Sequence, residues 1–361
     1  MAEVKSPLLS KGRDYWYDNI KAFLIISVVV GHFASGGTDA GFGIDGNWLG
    51  ILKKFIYVYH MPVFMMVSGR FAKGRINRDE WPKVISKVLV PYLICQILML
   101  LVCSFMDDVI LSRHFTFLNP MYGMWSMMNV AVYTIVTGKL KDKKWLFWLA
   151  LAAALLVGFS FKILYGGFHR LVCYYPFFLF GYYTANFKFN FCKKPWFRIL
   201  AALAFFAIAV YIFYRGRYVQ YNLLSMNKTY WAIARATHSN AYRVCFNAVG
   251  RYIMAFLFFF IILGIMPTKK TFFSHLGKYS VYIYALHLFI VIALRDLDTR
   301  YKLLDALDTD WKVILYLLGT VVLAFILVSK PVRKLTRPLL EPDFDLVRVV
   351  RQLAGTSEKK D

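Results

Sequence analysis

Apolar runs long enough to cross a bilayer recur along this chain from Ile20 to Val328, and no other feature constrains its fold as much. A crossing helix takes about 20 mostly apolar residues, because backbone amides and carbonyls in hydrocarbon must be satisfied within the segment itself. Ten runs meet this requirement, at approximately 20–34, 52–72, 84–106, 120–137, 145–162, 170–187, 197–214, 247–265, 278–295 and 311–329. The composition agrees, since 59% of the 361 residues are hydrophobic and 18% charged, against about a quarter charged in soluble domains. The expected fold is all-α: a polytopic membrane protein with about ten transmembrane helices in one bundle. Residues 1–19 are expected as a cytoplasmic N-terminus, 20–329 as the membrane domain and 330–361 as a cytoplasmic tail. No cleavable signal is expected, because a polar stretch precedes the first run and no small-residue cleavage site follows it.

The formal net charge of +24 would point to nucleic acid in a soluble chain. Here it has another cause, because basic residues collect in cytoplasmic loops and fix topology. Of the 44 basic residues, 28 lie in the N-terminus, the second, fourth, sixth and eighth loops and the tail. The first and third loops carry Asp39, Asp45, Asp107, Asp108 and a single arginine. Both termini are therefore expected in the cytoplasm, the bilayer is the expected surrounding, and no nucleic-acid partner is expected. The seventh loop departs from the pattern, with Arg215, Arg217, Lys228, Arg235 and Arg243 and no acidic residue over about 30 residues. Either it is an external basic surface for an anionic acceptor, or the spans are misplaced there. The five cysteines show no metal-ligand spacing and read as buried thiols without a disulfide framework.

Ionisable groups at membrane depth cost roughly 2.5–3.5 kcal/mol on insertion scales, which makes each a functional candidate. Three histidines qualify: His32 at the end of the first run, His60 in the second beside Pro62, and His287 in the ninth. Lys21 and His32 are eleven residues apart, a spacing that returns to within about 20° of the same helix face and spans roughly 16 Å. Lys21 can equally snorkel or pair with Asp18. The second run ends in Ser68, Gly69 and Arg70, where the arginine suits a phosphate or simply follows the charge rule. In the ninth, Ser280, Tyr284 and His287 form one polar stripe, either facing the bundle interior or bonded within it. No P-loop, GxGxxG, HExxH or Cys/His cluster is present, so no nucleotide-driven pump and no metal is indicated. Proton-coupled transport and acyl transfer remain.

Four segments, in this order and spacing, resemble the membrane-bound acyltransferase 3 family, particularly its fucose 4-O-acetylase-like members and relatives that modify cell-surface polysaccharides. They are RDYWYDNIKAFLIISVVVGH from Arg13, YHMPVFMMVSGRF from Tyr59, RLVCYYPFFLFGYY from Arg170 and LGKYSVYIYALH from Leu276. A weaker match is YGMWSMMNV from Tyr122, where the family carries a tryptophan-containing segment. The resemblance implies an integral O-acyltransferase of the plasma membrane and cell envelope. Its donor would be acetyl-CoA or another acyl-CoA drawn from the cytoplasm, and its acceptor a hydroxyl of a carbohydrate or glycolipid at the outer face. It assigns Lys21 and His32 to catalysis, with lysine standing where many members have arginine. On this reading His32 is the general base for direct transfer. His287 or His60 orients the acceptor or stabilises the oxyanion, and Lys21, Arg70 and Ser68 form the coenzyme A site. Arg170, Trp125 and Tyr284 contact the acceptor. A proton-coupled transporter or flippase for a glycan or glycolipid is the alternative.

Overall fold

The computed structural model describes residues 13–39, 48–80, 83–106, 119–140, 143–160 and 167–342. Among them it is helical, with no strand. The main helices are α1 (Tyr15–Asp39), α2 (Trp48–Asn77), α3 (Val90–Ser104), α4 (Trp125–Lys139), α5 (Leu146–Leu156), α6 (Phe168–Tyr183), α7 (Pro195–Arg215), α8 (Ala241–Ile265), α9 (Ser280–Tyr301), α10 (Asp310–Leu327) and α11 (Lys330–Leu340). Each of the ten apolar runs overlaps one of α1 to α10. Among the described residues, six stretches are long and apolar enough to cross a membrane, those built on α1, α3, α7, α8, α9 and α10. The protein is multi-pass. The other four runs fall short for visible reasons: α4, α5 and α6 have 15, 11 and 16 residues, and the 30-residue α2 carries Lys53, Lys54, Arg70, Lys73 and Arg75.

Burial separates the helices by role. Two thirds of the apolar stretch of α1 is buried, against 11% for α7. The exposed side of α7, with Ile199, Leu203, Phe206 and Tyr211, is apolar, as a lipid-facing surface requires. α1 is the central post. It starts five residues earlier than its apolar run because Trp16, Tyr17, Asp18 and Asn19 are buried rather than solvated. Trp16 Nε1 donates to the Leu263 carbonyl at 3.1 Å. The Asn19 amide donates to the Pro267 and Lys269 carbonyls at 2.8 and 2.9 Å, and its oxygen accepts from Thr271 and Ser274. One asparagine thus ties the α8–α9 connection to the first helix.

α2 runs back along α1, with Ser27 and Tyr59 hydroxyls 3.0 Å apart and Tyr17 against Phe71 at 5.6 Å between ring centroids. It then meets α6 at a reciprocal glycine contact. A Cβ on Gly69 would strike the Phe178 carbonyl, and one on Gly181 would strike the Met66 carbonyl, so the two backbones touch. Small residues permit this approach, which membrane helix pairs use in place of hydrophobic burial. Gly69→Ala and Gly181→Ala are each expected to lower stability by roughly 1–3 kcal/mol or more, since the obstacle is main chain and cannot swing aside. Thermal unfolding in detergent reads this; an unchanged midpoint in either variant contradicts it.

Candidate functional site

The histidines come from three helices: His32 and His60 line one cavity of about 310 Å³, and His287 contacts His32 from behind that lining. His32 projects from the later half of α1 and His287 from the first half of α9, and their rings lie 5.1 Å apart between centroids. His32 Nδ1 is 3.3 Å from His287 Nε2. His287 Nδ1 lies 2.7 Å from the carbonyl of Ile283, one turn back on its own helix. A carbonyl only accepts, so His287 Nδ1 carries the hydrogen, and in the neutral ring its Nε2 is an acceptor. His32 Nδ1 must then donate to that Nε2. The chain of contacts leaves His32 Nε2 with a lone pair, and His32 is the less buried of the two, lining the cavity. This is the arrangement of a base held in one tautomer by an orienting partner.

His60 lies on the same cavity with Nδ1 2.7 Å from the Ile56 carbonyl. Its Nε2 is likewise an acceptor when the ring is neutral. In this tautomer His60 can accept from a hydroxyl and has no ring N–H to offer an oxyanion.

Arg170, Trp125 and Tyr284 also line the cavity. The Arg170 guanidinium lies 5.1 Å from the centre of the Trp125 ring, and Trp125 packs on Tyr174 at 4.8 Å. Tyr284 gives its hydroxyl hydrogen to the Gly123 carbonyl, so that it contributes wall rather than a donor. Gly123 has its own part. A Cβ there would come within 3.0 Å of His32 Cε1 and of Leu288, so the absence of a side chain lets the imidazole sit against the α3–α4 connection.

Lys21, Ser68 and Arg70 lie elsewhere. None lines the cavity. Lys21 Nζ is 3.1 Å from Asp18 and 4.8 Å from the centre of the Phe71 ring. Arg70 donates to the Thr184 carbonyl at 3.0 Å and stacks over Tyr17 at 4.7 Å, while Ser68 bonds back to the Phe64 carbonyl of α2. Lys73 over Tyr182 and Lys193 over Trp16 stand on the same end of the bundle. The structure therefore separates the candidates into a histidine cavity and a basic end, about 16 Å apart along α1 by helix rise.

Sequence reasoning missed the roof of the cavity. The acid-free seventh stretch is folded: it holds short helices at Tyr221–Ser225 and Tyr230–Ala236, and α8 begins at Ala241, six residues before the apolar run. Tyr221 packs on Tyr57 at 4.9 Å, with Lys53 Nζ 4.4 Å from the Tyr221 ring centre. Cations from three helices take its carbonyls: Lys54 that of Gly216 (3.2 Å), Arg251 that of Leu224 (2.6 Å) and Arg170 that of Ser225 (3.3 Å). Of the two readings the sequence left open there, the span was misplaced at its start, by those six residues. The stretch's lack of acidic residues was the available signal that it is unusual, but the cations that hold its carbonyls come from other helices. A second cavity of about 340 Å³ shares Tyr122, Ile292 and Arg295 with the first, extending the cleft along α9.

The model of a family described as an acyltransferase domain matches residues 14–329, a range that contains all these side chains. The chain belongs to the acyltransferase 3 family. Two relatives, both called nodulation protein NolL, match parts of it. That of Sinorhizobium fredii (strain NBRC 101917 / NGR234) is 31% identical over 147 residues, 41% of this chain and 36% of that protein. That of Mesorhizobium japonicum (strain LMG 29417 / CECT 9101 / MAFF 303099) is 37% identical over 79 residues, 21% of this chain and 20% of that protein. The chain thus spans about a third and a fifth of the lengths of these two relatives. No solved structure matches the chain. Within the acyltransferase 3 family, the arrangement gives the histidine of the first helix a partner, His287, from 255 residues away.

Proposed function

We propose that this protein is an integral membrane O-acyltransferase that moves an acyl group, acetyl foremost, from acyl-CoA to a hydroxyl of a cell-surface carbohydrate or glycolipid. The observation that carries the proposal is His32, backed by His287, on the wall of an aromatic cavity large enough for a sugar ring. The acceptor hydroxyl gives its proton to His32 Nε2 as its oxygen attacks the thioester carbonyl. The C–O bond forms, the C–S bond breaks, and His32 passes the proton to the departing thiolate. His60 accepts from a neighbouring hydroxyl and sets the acceptor's orientation, and the aromatic side chains lining the cavity suit the apolar side of a sugar ring. No acyl-enzyme is required.

The basic end suits the coenzyme A phosphates, with Lys21 as the ligand nearest the axis of α1. Lys21→Ala is expected to raise the donor KM on the order of tenfold, the worth of one charged hydrogen bond, with kcat changed less. Lys21→Arg should hold or improve donor binding, because a guanidinium fork matches phosphate. Donor titration at saturating acceptor reads both; an unchanged KM in Lys21→Ala removes the residue from the donor site. Arg70→Ala has a second consequence, since the Thr184 carbonyl loses one of its two donors and keeps only the Phe187 amide.

The proposed topology has ten crossings in the plasma membrane, both termini in the cytoplasm and Gly37 to Gly46 outside, on the strength of the basic-residue distribution. A cysteine placed at Thr38 should react with an impermeant reagent from outside; reaction from the cytoplasmic side alone would reverse it. Purified protein with labelled acetyl-CoA tests the reaction itself. Transfer to a glycan hydroxyl is the expected result, and failure to bind or consume acetyl-CoA would leave glycan transport as the reading.

A further inference from the structure

A second buried polar group lies between α5, α6 and α8, in a cavity of about 20 Å³ that shares no lining residue with the histidine cavity. Two of its walls are Arg251 and His169, 4% and 3% exposed. Arg251 is committed on one side: Nε and Nη2 donate to the Leu224 carbonyl at 3.2 and 2.6 Å, and Nη2 lies 3.3 Å from the Tyr174 hydroxyl. Its Nη1 has no hydrogen-bond partner, and neither has His169 Nδ1. Among the described residues, the other charged side chain on the cavity is Lys228, and no carboxylate lines it. The remaining wall is mostly small or apolar, including Ala154, Gly158 and Ala248.

An arginine keeps its charge at any working pH, and a charge buried without a counter-charge is costly. One carbonyl and one phenol oxygen compensate it only in part. A void of this size admits a single small species. A water molecule would satisfy the two idle nitrogens yet leave the charge uncompensated, whereas an anion does both. We propose that the cavity binds one monatomic anion of the halide class, held between Arg251 Nη1 and a hydrogen-bearing His169 Nδ1. The site has a structural consequence. Arg251 holds the Leu224 carbonyl, and Ser225, the next residue, lines the histidine cavity, so the anion fixes the arginine that fixes the roof.

The test needs no activity. Purified full-length protein in nanodiscs is melted in chloride, bromide or gluconate at one ionic strength. Chloride and bromide are expected to raise Tm over gluconate, on the order of 2–4 °C per tenfold in halide above the dissociation constant. Arg251→Gln should lose the response. Ala248→Val, which fills the cavity while leaving the arginine in place, should lose it too, and carries the test if Arg251→Gln does not fold. Identical Tm values in chloride and gluconate would mean a cavity with water only and overturn the proposal, as would a halide response that persists in Ala248→Val. Anomalous scattering from bromide should place the ion within hydrogen-bond reach of Arg251; density elsewhere alone would also overturn it.

Discussion

His32→Ala is expected to cut acyl transfer by about 10²- to 10⁴-fold while leaving acetyl-CoA binding near its original strength. That range is what a positioned general base contributes. The selectivity follows from geometry, since His32 lies about 16 Å along α1 from Lys21 and the basic end proposed for the coenzyme phosphates. A base acts on the proton in flight, so its loss appears in kcat, with little change in ground-state donor affinity. The variant should insert and fold, because His32 is only partly buried and the side chain it gives up faces a cavity. Binding of acetyl-CoA by calorimetry, alongside transfer to a glycan acceptor, separates the two quantities. Normal turnover in correctly folded His32→Ala would remove the base assignment. Equal loss of donor binding and turnover would mark damage to α1 and deny His32 a chemical role.

His287→Ala comes second in size and differs in kind. His287 does not need to touch the acceptor to matter, because its Nε2 is the group to which His32 Nδ1–H points. Without it the His32 ring loses the contact that selects its tautomer, and a share of the population presents a protonated Nε2 to the acceptor. Losing the orienting partner of a catalytic histidine costs up to about 10⁴ in rate where this has been measured in serine proteases, and about 10²-fold or more is expected here. The two losses should not multiply. If His287 acts through His32, the double variant is no slower than His32→Ala alone, as residues acting as a unit behave. A double variant slowed by the product of both factors would mean that His287 acts on the substrate itself. His287→Gln offers a further check, since its amide carbonyl can accept from His32 Nδ1–H and should restore part of the rate.

The helical class was legible because membrane insertion writes itself into composition. Runs of apolar residues near 20 long have few other uses, and α7 and α10 end within two residues of their runs. Helix ends were less legible. At α1 the polar residues Asp18 and Asn19 read as a solvated approach, yet they are buried because the α8–α9 connection folds back over them. The three histidines stood out individually, since each is expensive in an apolar run. Their meeting depends on how α1, α2 and α9 pack, which no local pattern encodes. The roof over the cavity was illegible for the opposite reason: its short helices are held by arginine and lysine contacts to carbonyls, and main-chain oxygens leave no mark in a sequence. Lys21 and Arg70 show the limit of spacing arguments. Helical phase brings Lys21 round toward the His32 face, while the same eleven residues carry it about 16 Å along the axis, away from the cavity.

The reciprocal glycine contact between α2 and α6 bears on how the molecule works over a catalytic cycle. Where two main chains touch, there is no layer of side chains to slide, compress or repack, and the seam behaves as a fixed pivot. It lies between the His60 turn of α2 and the Arg70 end, so a machine that alternately opened those two ends would have to rock about it or tear it. A transferase needs neither motion: two reactants can enter from opposite mouths of a stationary frame and leave the way they came. Cross-linking α2 to α6 beside that seam should accordingly spare transfer while arresting any process that depends on large helix displacement.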